Sequence, residues 1–450
     1  MDYSLFLIPY SLFFAFITWH RFNFAIALFF FLLPTYLIRF NIGPLPTTLL
    51  EMMILIIVFI ALLKKETRYK IQTNLKQQIS NNRFLFFAVT LFLLSATISI
   101  FTSSNIMKAL GEWKAFYVEP VLIFLIIIIT LKSPNTPINQ STNKLINNII
   151  FALILSGLFT SILAIYQHFT GWMIPWDFWQ NNETFRVTGW YGFPNGVGLY
   201  LAPIWPLAIY FLRYKIQGHK QISKNKSQIW KIGNWLLFVS CVLFLILSPI
   251  AIFYAKSTGA LIGLATGVGI LLLFYKKTRI ITLIILASGI FTLIFLPSSN
   301  PIKQELFLQD RSGQIRLSMW SDTFEFLKDN PIKGAGLSSY EEKIIPYHTN
   351  VNGEGIEIFH HPHNIFLTIW VNLGLLGLVG FILIIISLLR SMLRSMLRNN
   401  LSIFLLSSLI IIVIMGLVDS PYIKNDLAIF FWLLPALLIT HQSQSVESLN

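Results

Sequence analysis

His363 closes the run His360-His361-Pro362-His363-Asn364 and stands directly ahead of an apolar stretch, 365–389. An imidazole at the mouth of a hydrophobic helix can accept a proton near neutral pH, because burial and the positive end of the helix dipole both favour its neutral form. The same helix start, with its free backbone N–H groups, is a natural place for a phosphate. Arg316 lies upstream, in Arg311-Ser-Gly-Gln-Ile-Arg316-Leu-Ser-Met-Trp320. A guanidinium stays charged and grips phosphate oxygens in pairs, so Arg316, with Arg311 as the weaker candidate, can serve as an anion ligand. Asp419, in Gly416-Leu-Val-Asp419-Ser-Pro421, falls between the last two apolar stretches, where an acid more often serves a loop or a cap than chemistry. The histidines also invite a metal: His348, His360, His361 and His363 offer up to four imidazoles, and His360-x-x-His363 is a tolerable ligand pair. No cysteine accompanies them and no His-Glu-x-x-His occurs, so no metal and no cofactor are assigned.

Further charged residues sit where a substrate could meet them. Arg186 precedes Gly189-Trp-Tyr-Gly192-Phe-Pro194-Asn195, inside a segment (167–195) that carries Trp172, Trp176, Trp179 and Trp190. Such aromatics anchor at a membrane interface or, alternatively, stack on sugar rings. Lys256 lies in the short turn Ala255-Lys256-Ser257-Thr258-Gly259. Glu51 and Glu119 lie in or beside apolar stretches, where an acid is costly and is usually paired or lines a cavity. Glu119, near Lys114, is a candidate to face the same cavity as His363.

The elements that must position these residues are membrane helices. Hydrophobic residues make up 55% of the 450 and charged residues only 12%, too few charges for a soluble domain of that size. Apolar stretches recur at roughly 4–19, 22–38, 45–63, 84–102, 115–131, 146–166, 196–212, 234–254, 258–275, 280–297, 364–389, 401–417 and 427–440. Most are about long enough to cross a bilayer. They define an all-α, polytopic integral membrane protein with about 12–13 transmembrane helices. The first two, split only by His20-Arg21, are short and are not both expected to cross fully. The first also lacks a charged lead and a small-residue cleavage site, so it reads as a retained span. Cys241 lies inside a span, which excludes a disulfide framework. The chain divides into an N-terminal bundle (1–297), a long loop (298–362) and C-terminal helices with a short tail (363–450).

The net charge of +14 does not point to nucleic acid. Basic residues cluster around Lys64–Arg83, Arg213–Lys231, Lys276–Arg279 and Arg390–Arg398, on alternate connections, as expected for cytoplasmic loops against anionic lipid. Segments 167–195 and 298–362 then face the outside. The second, of 65 residues, holds six Lys/Arg and nine Asp/Glu. Within it, 312–330 reads as an amphipathic helix ended by Pro331. Ile315, Met319, Trp320, Phe324 and Leu327 fall on one side, and Asp322, Glu325 and Lys328 on the other. Its apolar side would rest on the membrane surface or over the spans. Asp426 reads as the cap of the last helix.

From His363 the text runs His-Asn, nine residues, Gly374, two residues, Gly377. This spacing resembles that of the bacterial O-antigen ligase and polymerase superfamily, membrane enzymes that transfer sugars from a polyprenyl diphosphate carrier. Arg316-x-x-x-Trp320 with Asn330-Pro331-Ile-Lys-Gly334-Ala-Gly336 is similar to that family's segment ahead of its histidine, and Asp419-x-Pro421-Tyr422 to its ending. The resemblance covers 311–432 best. It implies His363 as general base, Arg316 as diphosphate ligand and Asp419 as orienting acid, with Arg311, Arg186, Lys256, Asn364 and Glu119 as further substrate contacts. Many members show Ser-Arg-Gly where this chain has Ser257-Thr258-Gly259, and Lys256 is the substitute charge. The implied partners are a lipid-linked glycan donor, a glycan, lipid or protein acceptor, and membrane lipids. The implied place is the bacterial cytoplasmic membrane, with the site outside. Gly374, Gly377 and Gly380 read as a small-residue ridge for helix packing. A lipid-glycan flippase or transporter would share the hydrophobicity and basic loops, but would more naturally carry charges within the spans and repeat symmetry. A non-enzymatic scaffold would leave His363, Arg316 and Asp419 on one side unexplained.

Overall fold

A computed structural model describes residues 4–42, 45–70, 75–130, 138–221, 228–348, 358–396 and 400–447. All thirteen apolar stretches fold into helix over most of their length, as they must where no water can satisfy a backbone amide. Among the described residues, seven helices are long and apolar enough to cross a membrane: Arg83–Phe101, Ile106–Thr130, Asn143–Thr170, Pro194–Ile216, Trp235–Tyr254, Lys276–Phe295 and Ile365–Ser395. Leu7–His20, Phe22–Phe31, Leu49–Leu63, Thr258–Phe274, Asn400–Gly416 and Asn425–Thr440 are shorter. The chain is a multi-pass membrane protein.

The stretch 22–38 is helical only to Phe31. Ten residues rise about 15 Å, half of a hydrocarbon layer of about 30 Å. Pro34 then sits in a tight 3-10 turn, Leu33–Leu37, and an antiparallel hairpin of Arg39–Ile42 with Leu45–Thr48 follows. Helix resumes at Leu49, where Thr48 and Glu51 form a reciprocal capping box. Glu51 therefore has a structural task.

One apolar core joins residues from Phe14 to Ile439. The last helix runs through its middle, with residues 425–440 buried without exception. At the other extreme, Thr282 is the sole buried residue of Lys276–Phe295, a helix left to lipid.

The connection after Lys276–Phe295 folds back onto the bundle around a small core of its own, in which Phe326, Leu327, Ala335 and Tyr340 pack on Leu367 and Val371. Its main helix, Arg311–Asp329, is capped by Asp310, whose carboxylate accepts from the N–H groups of Ser312 and Gly313. The apolar face differs from the one read in the sequence. Phe324 is 48% exposed, while Asp322 is buried beside Met319, Thr323, Phe326 and Leu327. The reason is long-range: the Thr323 hydroxyl pairs with Tyr340 Oη at 2.8 Å, and Asp322 meets His348 at 3.5 Å. The loop roofs this helix.

The turn after Pro331 enters the helix Ile365–Ser395. Ala335 N donates to Val371 O and Leu375 N to Ile332 O, replacing bonds of the helical ladder, and the Ser95 hydroxyl takes Leu373 O. The exchange depends on Gly374, whose φ of 72° is open to glycine and whose Cβ, if present, would lie 2.0 Å from Ile332 O. Gly374 is thus a docking point for the loop. Gly377 and Gly380 are packing residues, against Ser95 and the Phe92 backbone. Asp426 lies within the first turn of Asn425–Glu447 and accepts from Leu427 N.

Candidate active site

Five connections meet where the helix Ile365–Ser395 begins. Asn364 caps that helix, its Oδ1 accepting from Phe366 N and Leu367 N, and its amide nitrogen donates to Leu417 O. Both polar atoms are therefore engaged in structure. His363, one residue earlier, has a left-handed φ of 46°. Its chain is held from two sides. Trp320 Nε1, on the arginine-bearing helix, donates to Pro362 O at 2.8 Å, and the hydroxyls of Thr368 and Ser420 pair at 2.9 Å.

These ties bring Asp419 to His363, with Nδ1 and Oδ1 3.3 Å apart. Asp419 Oδ1 also accepts from Ser420 N at 2.8 Å, and Oδ2 accepts from Asn195 Nδ2 at 2.8 Å. Burial alone would raise this carboxyl. The hydrogen bond and charge of His363, with help from His361 and Ser420 N–H, outweigh it and hold the group well below the usual carboxylate range. An ionised Asp419 accepts the Nδ1 proton of His363 and leaves Nε2 with its lone pair.

Two guanidiniums flank the pair. Arg316 Nε donates to Val418 O at 3.0 Å, next to Asp419, and its Nη1 donates to Ser312 Oγ. Arg186 donates from Nε to Ala255 O, and from Nη2 to both Asn195 Oδ1 and Lys256 O. Burial and neighbouring Arg316 lower Arg186 to about 10, against the opposing pull of Asp419 and Glu305; it stays charged at neutral pH. Each guanidinium keeps N–H groups for a further anion. Two more residues complete the surroundings. His361 stands edge to face with His363, its ring 4.8 Å away, and burial, with the charge of His363, pushes it down to about 3. Lys424, lowered by burial, lies over the Phe193 ring.

Of the residues read from the sequence, His363, Asp419, Arg316 and Arg186 come together. Lys256 reaches the group through its carbonyl, in a left-handed turn, while its side chain is exposed. Thr258 contacts Glu305. Arg311 is exposed at the first turn of its helix, five residues before Arg316. Glu119 is elsewhere, buried with both oxygens lacking a hydrogen-bond partner, near the Lys114–Glu51 pair at 3.0 Å. Immediately ahead of Glu119, Trp113–Val118 is a π-helix, a change of helical phase that the sequence pattern does not announce. The four imidazoles do not cluster either: His360 pairs with Glu341 and His348 with Asp322. What remains is His361, His363 and Asp419, whose ligand atoms lie within 4.8 Å of one another, a grouping that could hold a metal ion. Asn195 was not singled out from the sequence, and His361 was read there only as one of four candidate metal-binding imidazoles. An Asn after Pro at a helix start reads as a cap, and the signal ends there.

A multi-pass helical protein that gathers an imidazole, a carboxylate and two guanidiniums among its loops is equipped for transfer chemistry on an anionic, membrane-bound substrate. Residues 242–382 match the model of the O-Antigen ligase family, a match that supports membership of the O-antigen ligase superfamily. An uncharacterized protein of Haemophilus influenzae is 26% identical over 331 residues, covering 68% of this chain and 72% of that protein. The family match supports glycan transfer in building the cell envelope, with a lipid-linked glycan donor and a glycan acceptor. It spans Lys256, Arg316 and His363, while Arg186, Asn195 and Asp419 lie outside it.

Proposed function

We propose that this protein transfers a glycan from a polyprenyl diphosphate carrier to an acceptor hydroxyl at the extracytoplasmic face of the bacterial cytoplasmic membrane, with inversion and without a metal. The observation that carries this reading is the 3.3 Å His363–Asp419 pair set between Arg186 and Arg316. His363 Nε2 takes the proton as the acceptor oxygen attacks the anomeric carbon. The bond from that carbon to the diphosphate breaks, and the carrier leaves with the electron pair. The guanidiniums meet the charge that gathers on the diphosphate as it departs, so no cation is required. Asp419 keeps the ring oriented and stabilises the imidazolium.

The grouping of His361, His363 and Asp419 favours a second reading, in which these three residues would hold a divalent ion and the ion would supply Lewis-acid chemistry. One experiment separates the two. Purified protein is given a polyprenyl-diphosphate glycan, and product linkage and released carrier are followed with and without a chelator. Transfer with inversion that survives chelation is expected. Activity lost to the chelator and restored by zinc would establish the second reading.

A further inference from the structure

We propose that Asn195 is a positioning residue that links the anion-binding Arg186 to the base His363 by way of Asp419. It rests on the transferase reading given above. Asn195 lies next to Pro194 at the first turn of the helix Pro194–Gln221, 9 residues from Arg186 but 224 from Asp419. Its side-chain oxygen accepts from Arg186 Nη2 at 2.8 Å, and its nitrogen donates to Asp419 Oδ2 at 2.8 Å. The orientation of the amide is fixed by chemistry, since a flip would face N–H to guanidinium and oxygen to carboxylate. Only an amide offers an acceptor on one side and a donor on the other with this reach. By holding Oδ2, Asn195 leaves Oδ1 of Asp419, steadied by Ser420 N–H, to His363 Nδ1. A diphosphate on the open edge of Arg186 draws on the same guanidinium that Asn195 accepts from. Donor occupancy and base orientation are therefore linked through two hydrogen bonds. The charged and titratable groups facing Asp419 and His363 from the surrounding elements are Arg186, Arg316, His361 and Lys424.

Asn195→Asp is the discriminating substitution. It keeps an acceptor for Arg186 but replaces the donor facing Asp419 with a second negative oxygen. If Asn195 merely braces Arg186, this change is mild. If it positions Asp419, kcat falls by about tenfold or more, the loss expected of a hydrogen bond to a charged group, while the donor KM stays within about threefold. The pH midpoint at which His363 reacts with diethyl pyrocarbonate, read from its peptide by mass spectrometry, should also rise by about one unit, since added negative charge favours imidazolium. That readout needs no substrate. A protein that carries out no transfer from any polyprenyl diphosphate donor would defeat the transferase reading, yet the modification midpoint would still test Asn195. Should Asn195→Asp fail to fold, Asn195→Ser must show the same loss of kcat at nearly constant donor KM. Turnover within about twofold of wild type in the folded variant, or an unmoved midpoint in Asn195→Asp, overturns the proposal.

Discussion

A histidine with a φ of 46° occupies backbone space that costs a non-glycine residue on the order of 1 kcal/mol. The surroundings impose it: Asn364 must cap the helix, Pro362 must receive Trp320, and the ring must reach Asp419. Strain of this kind gathers where orientation matters. His361 yields a prediction with a definite sign. Its depressed value means that the unfolded chain binds a proton below about 6.5 that the folded protein refuses until about 3. Its contribution to stability is therefore lost progressively as pH falls through that window. The thermal midpoint in detergent should drop between pH 6.5 and 4, and His361→Gln should flatten the slope; a parallel slope would contradict the account. Asp419, being depressed, keeps its contribution above the ordinary carboxylate range and loses it only in stronger acid. Arg316→Lys should lower transfer by roughly 10–100-fold, because one ammonium cannot bond both Val418 O and Ser312 and still face a phosphate. Rates within a factor of about two would remove Arg316 from the site. His363 stood out by its place at the mouth of an apolar helix, whereas Arg316 and Asp419 were legible chiefly through the resemblance of the motifs around them to those of a known family. Asn195 was not, because its partner Asp419 lies 224 residues away.

Among the elements, the arginine-bearing helix shows where periodicity stops being informative. Its start, capped by Asp310, falls one residue ahead of the one read, while its existence and stop followed from the 3.6-residue pattern and Pro331. Its buried face did not, since Tyr340 and His348 draw Thr323 and Asp322 inward. The helix Ile365–Ser395 hides a comparable event at Gly374, where a loop from elsewhere in the chain replaces two ladder bonds. Gly374→Ala places a methyl against Ile332 O at a disallowed φ and should cost at least about 2 kcal/mol, with loss of folded protein on size-exclusion. Gly269→Ala, in the helix Thr258–Phe274 with open space around it, is the control and should be neutral or mildly stabilising. Equal behaviour of the two would mean that the loop does not dock at Gly374.

For the whole molecule, a shared side follows from contact: the connection bearing Arg316 and the turn bearing Asp419 touch. We propose that this side is the outer one, because the positive-inside rule places the basic connections in the cytoplasm. Single cysteines at Ile332, 72% exposed, and Leu417, 45% exposed, should react with an impermeant maleimide in intact cells. One at Lys277 should react only after permeabilisation, and the native Cys241 is buried and should stay silent. Labelling at Lys277 alone would invert the molecule. The apolar helices and their rough extent were legible in composition and run length, although only seven of the thirteen stretches give helices long enough to cross a membrane among the described residues. The hairpin at 39–48 was not, since its short strands look like continuations of the flanking apolar stretches.

The central claim is that His363, oriented by Asp419, removes the proton from the acceptor. The direct measurement is single-turnover transfer by purified His363→Ala from a polyprenyl-diphosphate glycan, beside wild type. Folding of the variant is verified by thermal midpoint, and donor binding by retention of labelled donor. A base in this position contributes roughly 10²–10⁴ in rate, so the account predicts a loss of that size with donor binding preserved. A folded His363→Ala protein that turns over within a few-fold of wild type would contradict it.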